Sequence, residues 1–169
     1  DPTSLSEDTV YDLVVDRSGR VWVATARGGL EWLDPQSGAF THPRAAPDGL
    51  LSDTVNPVIL DAGRGILWAG TSGGPSGLEL ATGQWHSYTS ADGLPSDTVM
   101  GIEAGTRGEL WNSTGKGISR FDPQANEFFI YDALDGLQGD QFEIPSSPRR
   151  QKGELFFGGS NGVTFFNPE

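Results

Sequence analysis

Cysteine is absent from the 169 residues, so disulfides and thiolate metal centres are excluded and the redox compartment is left open. Histidine occurs only twice, leaving His42 and His86 as the side chains that titrate near neutral pH. Basic residues are scarce: 11 Lys and Arg face 23 Asp and Glu, a formal charge of −12. So acidic a chain repels an extended polyanion, and nucleic acid is excluded as an expected partner. No window approaches 18 consecutive apolar residues, and the first residues lack the charged-then-apolar order of an export signal. This segment is therefore expected to make no membrane contact, and any export signal is expected on sequence beyond it.

Glycine (24) and proline (11) are plentiful, alongside five Trp and nine Phe. Turn formers mixed with large flat side chains point to many short strands. The phrase GLPSDTV at 93 to 99 recurs as GLLSDTV at 49 to 55, as SLSEDTV at 4 to 10 and, worn, as GLQGDQF at 136 to 142. Its aspartates, Asp8, Asp53, Asp97 and Asp140, are spaced by 45, 44 and 43 residues. Further series keep the same order: Trp22, Trp68, Trp111 and Phe156, each three residues after a glycine; Gly29-Leu30, Gly77-Leu78, Gly117-Ile118 and Gly162-Val163; Asp34-Pro35, Asp122-Pro123 and Asn167-Pro168; and the aromatics Phe40, Trp85 and Phe128.

Each unit divides into four short runs. In the first these are TVYDLVVD, RVWVAT, GLEWLD and AFTHP, separated by turn-forming DRSGR, ARGG and DPQSG. None is long enough for an ordinary helix, and several alternate at period two. One such sheet cannot bury both faces alone, and four strands per repeat of this length is the signature of a propeller blade. The predicted fold is all-β: four four-stranded antiparallel meanders over roughly residues 6–47, 51–91, 95–134 and 138–169, the last lacking its outer strand. Together they form one domain, 1–169, as a partial or small β-propeller. The repeated aromatic is expected to fill the gap between neighbouring blades. Pro57 and Pro145 fall in first runs, which places those runs at a sheet edge lining the channel.

The recurring phrase is then the crossover between blades, with its aspartate or serine expected to bond neighbouring backbone N–H groups. The rival reading is a ring of carboxylates binding a cation or polar ligand. Crossovers and second-to-third-strand turns share one end of the fold, which combines Arg27, Ser72, Lys116 and Asn161 with Asp8, Asp53, Asp97 and Asp140. Next inward come Tyr11, Asn56, Met100 and Glu143. These vary while their frame does not, as recognition written on a repeated scaffold would. No catalytic constellation, metal site or cofactor site is expected: G-x-S-x-G, His-x-x-x-His and a phosphate-cradling loop are all missing, and His42 and His86 fall in outer strands.

Residues 92 to 129, DGLPSDTVMGIEAGTRGELWNSTGKGISRFDPQANEFF, resemble the two-component regulator propeller repeat, and the resemblance extends over essentially the whole chain. It implies a C-terminal fragment of the periplasmic sensor region of a hybrid two-component histidine kinase, with any kinase activity on other domains. It also implies a non-catalytic module reading a small polar ligand such as an oligosaccharide. Its other partners would be the remaining blades or a second copy of the chain. Asp stands where the family often has Asn before Thr-Val. The second unit reads as carrying two extra residues between Thr71 and Leu78, and has Glu79-Leu80 for Asp-Pro. A protein-docking propeller that selects a basic partner is the alternative. Propeller lyases that open cyclic antibiotics share the rhythm, but their catalytic histidine has no counterpart identified in this sequence.

Overall fold

Turn residues reverse the chain before a helix can form, and the outcome is seen in the structure, a computed structural model that describes residues 3–122, 124–143 and 154–168. The first blade is β1 (Val10–Val15), β2 (Val21–Thr25), β3 (Leu30–Leu33) and β4 (Phe40–Thr41). The second is β5 (Val55–Asp61), β6 (Ile66–Thr71), β7 (Gly74–Glu79) and β8 (Trp85–Ser87). The third is β9 (Val99–Ala104), β10 (Leu110–Thr114), β11 (Gly117–Asp122) and β12 (Glu127–Tyr131). Each is an antiparallel meander in chain order. The fourth sheet pairs β13 (Leu155–Gly159) with β14 (Gly162–Phe166), and Phe142 adds one bridge to Gly159 where the inner strand was expected. The rest of that run lies outside the described residues, with Pro145 and the basic residues Arg149, Arg150 and Lys152.

The inner strands β1, β5 and β9 lie side by side, each at the end of its own sheet. Pro57 therefore occupies an edge, where its missing N–H interrupts no ladder. Between successive blades lie three apolar cores, and each holds one ring of the repeated series. Trp22, with Ala24 beside it, shares a core with Leu67 and Ala69 of the second blade. Trp68 meets Leu110 and Phe121 of the third, and Trp111 meets Leu155 and Phe157 of the fourth. All three rings are buried, at 2%, 5% and 4% exposure. Phe156, the fourth of the series, is only half-buried and stacks on Phe165, and among the described residues no other blade covers it.

The expected insertion in the second unit does not exist. Thr71 pairs with Gly74 across a two-residue turn, as Thr114 pairs with Gly117, so Gly74 and not Gly77 is the counterpart of Gly29, Gly117 and Gly162. Gly77 instead lies opposite Trp68, and a Cβ there would sit 2.7 Å from Trp68 Cζ3. The first blade has the longer turn, with Thr25 N–H bonding Gly29 O. Trp32 faces Trp22 across the ladder, ring centres 6.0 Å apart, under the Arg20 guanidinium.

Candidate functional site

The crossover phrase has a different division of labour from the local turn expected of it. Its aspartate reaches back to the start of the crossover: Oδ1 of Asp53, Asp97 and Asp140 accepts the N–H of Ala45 (2.8 Å), Ser90 (2.6 Å) and Ala133 (2.8 Å). The main-chain oxygens of Asp53 and Asp140 accept the N–H of Gly29 and Gly117 from the preceding blade. The residue before the aspartate makes the short-range bond, as in Thr54 N–H to Ser52 Oγ (3.0 Å). The leucines Leu50 and Leu94 plug the interblade cores. In the second and third crossovers a single 3₁₀ turn is closed by a capping box, Thr89 with Asp92 and Asp132 with Asp135. Asp8 is exposed.

The inner candidates sit on β-bulges. Pairing slips between Val10 and Asp12, between Val55 and Val58, and between Val99 and Gly101. Tyr11, Asn56 and Met100 are thus extra residues that re-aim the wall of the channel. Their environments differ. Tyr11 is exposed, Met100 is half-buried, and Asn56 is buried with Nδ2 donating to Val99 O at 2.8 Å. Asn56 ties two inner strands together and is withdrawn from any ligand. Asp12 makes a similar tie, accepting from Val58 N–H at 3.0 Å. Glu143 is exposed.

The outer candidates divide by blade. Arg27 pairs with Glu7 at 3.1 Å, and the Ser72 and Ser52 hydroxyls share a hydrogen bond at 2.7 Å. Between the third and fourth blades the same face opens into a cavity of about 460 Å³ lined by Lys116, Asn161, Asp140, Asp132, Gln141, Ser160 and Gly115. Three of the candidates, Lys116, Asp140 and Asn161, converge there. Asp132 joins them with Oδ1 committed to Leu134 N–H at 2.7 Å. No aromatic side chain lines this cavity.

A column of acceptors, buried in the first three blades and half-buried in the fourth, escaped the sequence reading. Glu31, Ser76, Ser119 and Thr164 stand at one register position of the third strand. They receive the crossover N–H that follows the plugging leucine: Ser6 to Glu31 Oε2 (3.1 Å), Leu51 to Ser76 Oγ (3.2 Å) and Gln138 to Thr164 Oγ1 (3.2 Å). At the crossover between the second and third blades this residue is Pro95, which has no N–H, and Ser119 instead takes a 3.5 Å contact from Asn112 Nδ2. The signal was a polar residue two places after each hairpin glycine, hidden in the second unit by taking Gly77 for Gly74. Glu31 is the exception in kind: wholly buried, it is held by Ser6 N–H, by Ser6 Oγ and by His42 Nδ1 at 2.8 Å. His86 is exposed. Among the described residues no group of three or more His, Cys, Asp or Glu could hold a metal ion, and no helix is long and apolar enough to cross a membrane.

Residues 4–27 match the family model described as two component regulator propeller. No curated protein matches the chain. Among solved structures, the chain is similar to an extracellular domain assigned to the hybrid two component system BT3049 of B. thetaiotaomicron, with TM-score 0.88 and 26% identity over 99% of this chain and 23% of that one. It is also similar to the BT4673 extracellular domain from B. thetaiotaomicron, with TM-score 0.75 and 19% identity over 96% of this chain and 22% of that one. A third likeness, to virginiamycin B lyase from Staphylococcus aureus, has TM-score 0.59 and 18% identity over 98% of this chain and 58% of the lyase, and concerns the fold alone. The chain spans less than a quarter of the two Bacteroides domains. With its recurring crossover, its stacked four-stranded meanders, and the match at residues 4–27, the chain is similar to the two-component regulator propeller family and has a propeller's blade architecture.

Proposed function

We propose that the chain is part of the ligand-sensing propeller of a two-component receptor, acting outside the cytoplasmic membrane in the periplasm, without catalysis of its own. The extracellular placement of the similar Bacteroides domains supports this reading. The ligand would be small, polar and uncharged, with an oligosaccharide as the expected class.

The observation that carries the proposal is the cavity between the third and fourth blades. Lys116, Asn161, Gln141 and Ser160 offer donors there, and Asp132 and Asp140 offer acceptors. A sugar hydroxyl both donates and accepts, so it suits such a mixed lining, whereas an anion would meet the two carboxylates and the overall charge of −12. Asp140 has one oxygen already fixed by Ala133 N–H, which orients the carboxylate before a ligand arrives. Isothermal titration of neutral oligosaccharide pools into the chain tests the proposal. Saturable heat, weakened roughly tenfold or more by Lys116→Ala and by Asn161→Ala, is expected, since each removes a hydrogen bond of about 1.4 kcal/mol. No heat from a folded chain, or an isotherm indifferent to both substitutions, would count against it. Binding of a basic protein in place of sugar would favour the docking alternative.

A further inference from the structure

We propose that the cleft between the first and second blades, on the face away from the crossovers, binds a small aliphatic monocarboxylate. The cleft has a volume of about 270 Å³ and lies between the first hairpin turn of one blade and the first and third hairpin turns of the next. Its apolar side is formed by Leu60, Ala62, Leu80 and Ala81, and Leu80 packs against the interblade core beneath. Arg17 and Arg20 line the cleft from the first blade. Both adjoining blades are complete four-stranded sheets, so the cleft belongs to the regular interior of the stack.

The next groove along shows what closes such a place. There Arg64, the residue before the turn glycine Gly65, donates to Gly108 O of the third blade and spans the gap. Between the first and second blades the same position is Ser18, whose N–H and Oγ both turn inward to Asp16. The carbonyl that matches Gly108 O is Gly65 O, and it already accepts the Leu80 N–H at 3.0 Å. The groove is therefore left open. Its wall is apolar because Leu80 and Ala81 stand where the first and third units have Pro35-Gln36 and Pro123-Gln124. Charge is a separate observation. Asp16 and Arg20 pair at 2.9 Å and cancel, with the Arg20 guanidinium 5.4 Å and 5.3 Å from the Trp22 and Trp32 ring centres. Arg17 has no hydrogen bond or ion pair among the described residues. One uncompensated guanidinium beside an apolar wall suits one carboxylate joined to a hydrocarbon chain. A dianion would carry a second charge unmatched against the overall −12, and a sugar would turn hydroxyls without partners toward Leu60 and Leu80.

The test uses the intact chain in neutral buffer and straight-chain carboxylates from acetate to hexanoate. Saturable one-to-one binding is expected in nuclear magnetic resonance titrations, with shifts of the Leu60 and Leu80 methyl signals and affinity rising roughly fourfold per added methylene. Hexan-1-ol on the native chain, and hexanoate on Arg17→Gln, should each bind at least about tenfold more weakly than hexanoate on the native chain, since each removes one side of a charged hydrogen bond. Ala81→Asp sets a carboxylate in the wall and should abolish hexanoate binding. Arg17 and Ala81 are both exposed, so neither substitution should change the circular dichroism spectrum or the melting temperature. Lys116→Ala, in the cavity assigned to an oligosaccharide, should leave hexanoate binding unaltered, which separates the two sites. Equal binding of hexanoate and hexan-1-ol, an affinity indifferent to chain length or to both cleft substitutions, or no saturation of a folded chain overturns the proposal.

Discussion

At the scale of single residues, five donors converge on one carboxylate at the end of β1. Asp16 accepts from Ser18 N–H (2.8 Å), Ser18 Oγ (2.6 Å) and Arg20 N–H (3.2 Å) on one oxygen, and from Arg20 Nε and Trp22 Nε1 (both 2.9 Å) on the other. Burial pushes its pKa up, but the Ser18, Trp22 and Arg20 groups outweigh burial and hold it at about 2 against an ordinary 3.8. The depressed value belongs to the folded state, so the stabilisation is whole above about pH 4 and is lost as pH falls towards 2. In urea titrations, the stability gap between the native chain and Asp16→Asn should shrink by about 2 kcal/mol from pH 5 to pH 2; a gap constant with pH would refute this. Gly77 supplies a second test. Its absent side chain makes room for the Trp68 ring, so Gly77→Ala should destabilise by about 1–3 kcal/mol. Combining it with Trp68→Phe should give less than the sum of the two single changes, measured as a double-mutant cycle.

At the scale of elements, each sheet is held to its neighbour by a ring, and every crossover but the one that carries Pro95 is held to its sheet by a third-strand acceptor. Trp68→Ala should lower stability by about 3–5 kcal/mol in denaturant titration, because its ring is enclosed by two blades. Ser76→Ala strands the Leu51 N–H and should cost roughly 1–3 kcal/mol, whereas Ser119→Ala should cost about 1 kcal/mol less, since Pro95 presents no N–H to strand. Equal losses would mean that these hydroxyls act through packing alone. The meander, the buried tryptophans and the edge position of Pro57 were all legible in the sequence, because each follows from a periodicity or a missing donor. The alignment of the second unit was not. In GGPSG two glycines fit the repeat equally well, and only the bulk of Trp68 selects Gly77 to face it. Lys116, Asp140 and Asn161 were legible as frame positions at hairpin tips and crossovers. Asp132 and Gln141 were not, since the folded crossover rather than any spacing delivers them to the cavity. Asn56 was misleading for a related reason: a bulge turns it into the wall.

At the scale of the whole molecule, exposed apolar side chains gather on two strands. Val163 and Phe165 on β14 are 59% and 63% exposed, and Val10, Leu13 and Val15 on β1 are exposed as well. Exposed apolar groups favour association. The pair Val163→Thr and Phe165→Thr should therefore reduce light scattering at high protein concentration while leaving stability within about 0.5 kcal/mol, as exposed substitutions do. The three internal cores are also directional. Trp22, Trp68 and Trp111 each lean toward the blade that follows in the chain, never the one before. On a ribosome, which releases the amino-terminal end first, each of the first three blades would emerge with its indole bare and wait for its successor to cover it. Translation pauses placed after a blade would then lengthen the time an indole stands uncovered, and pauses within the next would lengthen it further.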